Sequence, residues 1–346
     1  MVDLDKMRAE LLDSINKKHG KDSIFVMGKR EDVTGTHALS TGSLALDCAI
    51  GVGGFPRGRI VEIYGPEAAG KSLILLSTIA QIQRSGGSAA FIDAEHALSP
   101  DFAKLLGVNI DKLYYVQPES GEKALLIMEE LISSCLFDIV GLDSVAALIT
   151  EQELQADYSD KKPAYLAILM GKALKKMTSI ISRTKTVAVF INQLREKPMT
   201  LFGSPEYTTG GKALKFYSSL RIDVRRINKE KDKHGVPVGH TVRCTIIKNK
   251  VAPPFGVCNI RLDYKTGIDT LSDALTTATE LGVITQASSW FNYGENKWNG
   301  FEAMLTYFTN NAGALQLLIS QIREIMNNDS TKKEAKQGLD KEKASA

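Results

Sequence analysis

Eight consecutive residues fit the pattern G-x-x-x-x-G-K-[ST] of a phosphate-binding loop: Gly65, Pro66, Glu67, Ala68, Ala69, Gly70, Lys71 and Ser72. In such a loop the backbone N–H groups surround an anion, and the positive end of the following helix dipole points at it. The Lys71 amine would reach the β- and γ-phosphates of a nucleoside triphosphate, and the Ser72 hydroxyl would ligate Mg²⁺. The alternative is a glycine-punctuated turn that binds nothing.

The segments on either side of this motif have the patterns that a phosphate-binding loop requires. Residues 59–64 read as a β-branched strand, and residues 72–85 carry apolar side chains at helical spacing before Gly86-Gly87. Because strand, loop and helix follow one another in the required order, the sequence predicts a nucleoside triphosphate site with Mg²⁺.

Two apolar strands end in carboxylates. Hydrolysis needs a carboxylate near Mg²⁺ and a group that orients or deprotonates the attacking water. Residues 139–143 end in Asp143, which we assign to the Mg²⁺ water shell, with a helix cap as the alternative. Residues 89–95 carry Asp93 and Glu95 at their end, and we assign Glu95 as the base or water-orienting carboxylate. Spacing alone favours this role for Glu95 only slightly over that of a surface acid.

A third apolar strand, 186–191, is followed by Asn192 and Gln193. An amide at such a strand end can hydrogen-bond the γ-phosphate and respond to its loss after hydrolysis. The residues by themselves favour a polar strand cap, so the two interpretations of Gln193 stay open at this point.

Two segments, 151–164 and 194–211, are longer than plain connections in a compact α/β core, and such segments are often functional. The second contains Arg195, Lys197, Phe202 and the pair Gly210-Gly211. Cations mixed with aromatic residues on a glycine-hinged segment suit single-stranded nucleic acid, by phosphate neutralisation and base contacts. A mobile substrate lid fits the same composition equally well.

Strands and helices alternate from residue 42 to about 226, which predicts an α/β fold with a mainly parallel sheet covered on both faces. The predicted strands are 59–64, 88–94, 113–116, 138–143, 186–192 and 220–226. The predicted helices lie near 72–85, 100–106, 121–134, 165–183 and 212–217. Two further strands, near 241–248 and 257–264, extend the sheet. Ligands of such sheets collect at the carboxyl ends of the strands.

The ends of the chain have a different character. Residues 3–19 predict an amphipathic helix that packs on another subunit or on its own core, and a short strand is predicted at 24–27. Helices predicted at 273–281 and 300–326 indicate a small α-rich C-terminal domain. The charged residues from 329 onward predict a disordered tail.

Bulk composition limits the function classes. The 346 residues are 43% hydrophobic and 24% charged, as in ordinary globular proteins, and the net charge of +3 is too small to prove a nucleic-acid partner. Four scattered cysteines without metal-ligand spacing indicate buried free thiols and a reducing compartment. Without an apolar stretch of about 20 residues or a signal-peptide pattern, we expect a cytoplasmic protein that does not enter a membrane.

Longer blocks of the chain resemble the bacterial RecA recombinases over roughly residues 1–326. The matching blocks are 40–47, 58–70, 90–98, 143–148, 190–195, 202–206, 210–211, 213–217, 248–250 and 254–255. A series of this length in the right order is highly specific. The resemblance implies a P-loop NTPase core of RecA type (34–268), an N-terminal polymerisation arm (1–33), a small α-rich C-terminal domain (269–328) and a tail (329–346).

The resemblance also implies a function and the residues that perform it. Proteins of this family are DNA-dependent ATPases that form helical filaments on single-stranded DNA and exchange strands with a homologous duplex, using ATP and Mg²⁺. By resemblance, Glu95 is the catalytic carboxylate and Gln193 the γ-phosphate sensor. Lys248 and Lys250 then reach the ATP of a neighbouring protomer, where positive charge stabilises the transition state.

The remaining roles are also implied only by the resemblance. Phe216 inserts into the neighbouring protomer, the first helix packs on it, and Phe102 and Tyr264 line the adenine site. Segments 151–164 and 194–211 are the two DNA-binding loops. The residues assigned to DNA binding are Lys161, Lys162, Lys175, Arg195, Lys197, Phe202, Gly210, Gly211 and Lys212.

The sequence departs from the family pattern in both loops. Pro163-Ala164 stand where the family commonly has Met-Gly, Ile168 replaces an arginine, Pro198-Met199 replace an aliphatic residue and glycine, and Lys212 replaces an asparagine. These changes concern base spacing and loop mobility rather than ATP hydrolysis, and they would suit a phage-borne or plasmid-borne copy. The tail carries five lysines and four acids, so we expect weaker self-inhibition than an acidic tail gives.

Two other functions are compatible with the same residues. One is a hexameric, helicase-like motor on the same core. The other is an ATP-switched filament that coats single-stranded DNA with slow turnover and serves as a signalling platform.

Overall fold

A ten-stranded sheet is the largest element of the structure, a computed structural model that describes residues 4–21, 23–26, 37–157, 164–196, 206–231 and 234–326. The chain divides into two compact units, residues 1–37 and 38–346. The sheet belongs to the second unit. Among the described residues, no helix is long and apolar enough to cross a membrane.

The parallel part of the sheet contains six strands separated mainly by helices. The strands are β3 (Ile60–Gly65), β4 (Ala89–Asp93), β5 (Leu113–Val116), β6 (Ile139–Asp143), β7 (Val187–Glu196) and β9 (Leu220–Lys231). The helices along this region are α3 (Lys71–Arg84), α4 (Pro100–Leu105), α5 (Gly121–Ser133), α6 (Glu151–Gln155), α7 (Tyr165–Thr184) and α8 (Ala213–Tyr217). The sheet order β9-β3-β7-β6-β4-β5 confirms the predicted mainly parallel α/β core.

Three antiparallel strands extend this core beyond β9. They are β10 (Pro237–Asn249), β11 (Val257–Asp263) and β12 (Gly267–Ile268). The short strand β8 (Glu206–Thr208) pairs with the end of β7. Two short strands, β1 (Ala38–Leu39) and β2 (Phe55–Pro56), flank the helix α2 (Leu44–Ile50) and pair with each other.

Alternation along the strands fills both faces of the sheet. In β7, Val187, Val189 and Ile191 belong to the apolar cluster that contains α3, whereas Ala188 and Phe190 belong to the cluster that contains α5 and α7. Burial of both faces explains why these strands are almost continuously apolar in sequence.

The C-terminal part of the chain contains a small sheet that the sequence did not predict. Helix α9 (Thr270–Glu280) is followed by β13 (Thr285–Ala287), β14 (Trp290–Tyr293) and β15 (Asn296–Asn299), which form an antiparallel meander. The predicted helix 300–326 is divided into α10 (Phe301–Asn310) and a helix over 312–326, because the non-helical backbone of Asn311 interrupts it. These elements share one apolar cluster with Leu44 of α2.

Asp273 joins this C-terminal part to α2. Its carboxylate accepts hydrogen bonds from the Ser43 hydroxyl (2.8 Å) and from the backbone N–H groups of Leu44 and Ala45. Burial raises the pKa of Asp273 to about 6, and the hydrogen bond from Ser43 opposes this shift.

The first unit contains α1 (Leu4–His19), as predicted, but residues 24–26 are not a strand. The side chains of Leu4, Met7 and Leu11 are exposed. The prediction for the cysteines was partly wrong: Cys244 and Cys258 are buried, but Cys135 is exposed. The predicted tail lies outside the described residues.

Candidate active site and loop stems

The order of the strands brings the predicted catalytic residues to one edge of the sheet. Gly65 at the end of β3 is the register partner of Gln193 in β7, and Asp93 at the end of β4 is the partner of Asp143 at the end of β6. Since β3, β7, β6 and β4 are consecutive in the sheet, the phosphate-binding motif lies at the same edge as Gln193 and Asp143.

Two glycines of the motif are required by close packing. A Cβ atom at Gly65 would lie 2.2 Å from the Val224 carbonyl oxygen, and one at Gly70 would lie 2.5 Å from a methyl group of Leu262. Gly70 also has φ 90°, which an L side chain rarely adopts, and it is the N-cap of α3. The loop is therefore fixed in shape at both ends, with the N-terminus of α3 directed at its centre.

The Lys71 side chain is buried inside the loop. Its Nζ donates hydrogen bonds to the carbonyl oxygens of Gly65 (3.2 Å) and Pro66 (2.6 Å). Burial lowers the pKa of Lys71, while the nearby Asp143 and Glu95 carboxylates raise it. A buried amine beside the N-terminus of α3 suits the binding of a polyphosphate.

Asp143 and Ser72 lie together, as the sequence predicted for a Mg²⁺ site. Burial raises the pKa of Asp143 to about 6, and its hydrogen bond with Ser72 opposes that shift. No cluster of three or more His, Cys, Asp or Glu side chains suitable for a metal occurs within the described part of the chain. A hydroxyl and one carboxylate fit the sites in which Mg²⁺ keeps several waters and is bound mainly by substrate phosphates.

Glu95 contacts two of the strand ends at this edge. Its Oε1 atom accepts hydrogen bonds from Gln193 Nε2 (3.0 Å) and from the Ser144 hydroxyl (2.5 Å). Asp93 is instead used structurally, because its carboxylate accepts bonds from Tyr115 Oη (2.7 Å) and the Leu98 N–H (3.0 Å). The two acids that the sequence placed at one strand end therefore have different environments, and Glu95 is the one that is exposed.

His240 packs against the phosphate-binding loop, and no motif in the sequence marks it. Its Nε2 is 3.4 Å from the Cβ position of Gly70, and its ring centroid is 5.5 Å from that of Tyr264. Burial and the charge of Arg226 lower the pKa of His240, and the Ala69 backbone opposes this shift. This contact places Tyr264, predicted to face adenine, next to the loop. Phe102, its predicted partner, is a partly exposed residue of α4.

The segment 194–211 does not begin as a loop. Residues 194–196 of β7 pair with 206–208 of β8, so the described ends of the segment form an antiparallel stem. Arg225 of β9 holds β8 with a bidentate ion pair to Glu206, with distances of 2.8 and 2.6 Å. Beyond the stem, a Cβ at Gly210 would lie 2.8 Å from Val145, and one at Gly211 would lie 2.7 Å from Ala167.

The residues predicted to bind DNA are only partly described. Arg195, Lys175 and Lys212 have exposed side chains, on β7, on α7 and at the N-cap of α8. Lys161, Lys162, Lys197 and Phe202 lie outside the described residues. The first candidate loop, 151–164, begins with a regular helix, α6, which a capping box of Thr150 and Glu153 starts.

The residues predicted to reach a neighbouring protomer lie on one part of the surface. Phe216 of α8 is 67% exposed. Lys248 Nζ donates hydrogen bonds to the carbonyl oxygens of Lys215 (2.7 Å) and Phe216 (2.9 Å), and the Lys250 side chain is exposed. Burial and the charge of Lys250 lower the pKa of Lys248.

Comparison with known proteins decides the family. The family model of the RecA N-terminal domain matches residues 6–269. The chain belongs to the bacterial RecA family. It is 50% identical over 286 residues to protein RecA of Chlorobaculum parvum, which covers 83% of this chain and 82% of that protein. It is 44% identical over 323 residues to protein RecA of Rhodospirillum centenum, covering 92% and 90% of the two chains.

Membership of the RecA family confirms the resemblance seen in the sequence. It supports the function of a DNA recombinase with an ATPase core, and it implies nucleotide binding with Mg²⁺. The crystal structure of the RadB recombinase is similar with a TM-score of 0.51 and 20% identity, covering 66% of this chain and 98% of that one. At this identity the RadB structure supports the fold alone.

Proposed function

We propose that this chain is a DNA-dependent ATPase that forms helical filaments on single-stranded DNA and catalyses strand exchange with a homologous duplex. The observation that carries this proposal is the hydrogen bond from Gln193 to Glu95 at the edge of the phosphate-binding loop. It connects the acid that faces the nucleotide to the strand that leads into the second candidate DNA-binding segment.

In this proposal, ATP occupies the loop from Gly65 to Ser72. Lys71 leaves the Gly65 and Pro66 carbonyls to bind the β- and γ-phosphates, and Phe102 and Tyr264 flank the adenine. Ser72 and Asp143 would hold Mg²⁺, which would neutralise phosphate charge when bound. The site meets a neighbouring protomer, whose Lys248 and Lys250 supply further positive charge.

Glu95 orients and deprotonates the attacking water in this site. In the described structure its Oε1 is held by Gln193 and Ser144. When Gln193 turns to the γ-phosphate, its hydrogen bond to Glu95 is released, and Glu95, still held by Ser144, can accept a hydrogen bond from water instead. A shift of β7 at Gln193 on phosphate binding would move the start of segment 194–211, so nucleotide binding and DNA binding become linked through one residue.

Polymerisation would use two exposed apolar features. Phe216 would insert into a neighbouring protomer, and the exposed stripe of Leu4, Met7 and Leu11 on α1 would pack on one. Since Lys248 binds the Phe216 carbonyl, insertion of Phe216 would also position the lysine that reaches the neighbour's ATP.

Electron microscopy tests this assembly directly. Protein mixed with single-stranded DNA and a slowly hydrolysed ATP analogue should form helical filaments, and Lys71→Ala should abolish them. Lys123→Ala, which removes only an exposed pair with Glu119, is the matched control and should form filaments normally. Closed rings would instead indicate a helicase-like motor, and filaments that fail to exchange strands would indicate a coating function.

A further inference from the structure

Asn192, next to Gln193 in β7, is completely buried and uses its whole side-chain amide in hydrogen bonds. Its Nδ2 donates to Glu62 Oε1 and to the Thr209 carbonyl oxygen, both at 3.1 Å. Its Oδ1 accepts from the Thr209 hydroxyl and from the Gln193 N–H at 2.9 Å. One side chain thus joins the strand of Gln193 to the far end of segment 194–211.

The Glu62 carboxylate that orients Asn192 is itself fixed. It belongs to β3, three residues before the phosphate-binding loop, and its Oε2 accepts an ion-pair hydrogen bond from Arg221 Nε of β9. The Arg221 guanidinium lies 4.6 Å from the centroid of the Tyr64 ring. Removing one partner of such a buried pair would leave an uncompensated charge, so Arg221 holds the Glu62 carboxylate in one orientation toward Asn192.

Thr209 connects β8 to the two glycines at this end of segment 194–211, so a movement of β8 relative to the glycines must involve Thr209. It follows β8 directly and precedes Gly210 and Gly211, which pack tightly against Val145 and Ala167. Gln193 stands at the other end, where β7 enters the stem. Asn192 therefore contacts both ends of the segment that we propose to bind DNA.

We propose that Asn192 is a positioning residue that transmits movement of Gln193 to Thr209, so that both ends of segment 194–211 respond together to the nucleotide. The inference rests on the proposed function. A shift of the strand at Gln193 displaces the neighbouring Asn192, and Asn192 cannot move alone because leaving its buried hydrogen bonds unsatisfied is costly. The lowest-energy response is for Thr209 to follow.

The matched variants Thr209→Val and Thr209→Ser test this proposal. Valine keeps the shape of threonine and removes its hydroxyl, whereas serine keeps the hydroxyl that binds Asn192. The measured quantity is the ratio of single-stranded DNA affinities with a slowly hydrolysed ATP analogue and with ADP. We expect Thr209→Val to reduce this ratio about tenfold, as for loss of one buried hydrogen bond, and Thr209→Ser to retain most of it.

Hydrogen–deuterium exchange of the unmodified protein without DNA gives an independent test that needs no variant. Exchanging ADP for the ATP analogue should change amide protection both near Gln193 and at residues 207–211. Changes confined to the Gln193 side would overturn the proposal, as would an unchanged affinity ratio in Thr209→Val or an equal loss in Thr209→Ser. If the unmodified protein binds DNA equally with both nucleotides, the proposed function fails and the inference with it.

Discussion

The side-chain amide of Gln193 donates a hydrogen bond to Glu95 across 3.0 Å, joining two residues that lie 98 positions apart in the chain. The contact exists because β7 is inserted between β3 and β6, so Gln193 ends beside the phosphate-binding loop. A residue that can bind either Glu95 or a γ-phosphate can exchange one for the other. This exchange is the physical basis of the proposed link between ATP and DNA.

Glu95→Gln should lower DNA-dependent ATP turnover by at least about 100-fold, since an amide cannot accept the proton of the attacking water. ATP affinity, measured with a fluorescent analogue, should change little because Lys71 and the loop are retained. Glu119→Gln, at an exposed acid of a surface ion pair, is the control and should keep normal turnover. If Glu95→Gln turned over ATP within a few-fold of the normal rate, Glu95 would not be the catalytic carboxylate.

Phe216→Ala should weaken filament assembly while leaving the monomer fold unchanged. The Phe216 ring is exposed and makes no contribution to the buried clusters, so its removal should not shift the unfolding midpoint. Sedimentation with single-stranded DNA and the ATP analogue should show fewer and shorter assemblies. Leu317→Ala, at a similarly exposed residue of the C-terminal helix, provides the comparison. Equal assembly by the two variants would contradict the interface assignment.

Arg221→Leu should reduce the free energy of unfolding by about 3–5 kcal/mol, because it leaves the completely buried Glu62 carboxylate without its charged partner. Urea denaturation measures the change. Lys123→Ala breaks an ion pair on the surface and should change stability by no more than about 0.5 kcal/mol. A loss in Arg221→Leu as small as that of the control would show that Glu62 is stabilised without Arg221.

The sequence predicted at the level of strand ends which residues lie at one edge of the sheet. The ends of β3, β4, β6 and β7 could be predicted to meet because carboxyl ends of parallel strands lie along one edge. Apolar periodicity identified β3, β4, β5, β6 and β11 to within one residue at each end, whereas β7, β9 and β10 each extend four or five residues beyond one predicted end. It does not identify which strands become neighbours, so the contact between Gln193 and Glu95 required the structure.

The features that the sequence missed depend on contacts between distant residues. Glu62 looks like one polar position in an apolar strand, and nothing near it indicates that Arg221, 159 positions away, is its partner. Strand β8 and the strands of the β13–β15 meander were also not predicted. They are too short to show an alternation of apolar and polar residues. His240 could not be predicted as a neighbour of the phosphate-binding loop, because a single histidine in a strand belongs to no recognisable motif.

Stability should depend on pH through Asp47, a buried carboxylate that accepts hydrogen bonds from Ser40 and Thr41. Burial raises its pKa to about 7 in the folded protein, above the ordinary value of 3.8. The folded state therefore binds an extra proton between these values, and the associated stability is lost as pH rises through about 7. Asp47→Asn, which cannot ionise, should show a smaller fall in melting temperature between pH 6 and pH 8.

Asp273 adds a smaller dependence of the same sign in both proteins, because its pKa is also raised. The comparison of the two proteins removes this shared contribution. Melting curves that change equally with pH in Asp47→Asn and in the unmodified protein would show that Asp47 does not titrate in this range.

The rate of ATP hydrolysis with and without single-stranded DNA tests the central claim most directly, because the claim is that DNA binding and the ATP site act through each other. At saturating ATP and Mg²⁺, addition of an unstructured oligonucleotide should raise the rate by an order of magnitude or more. A rate that stays the same over a full titration of oligonucleotide would contradict the account.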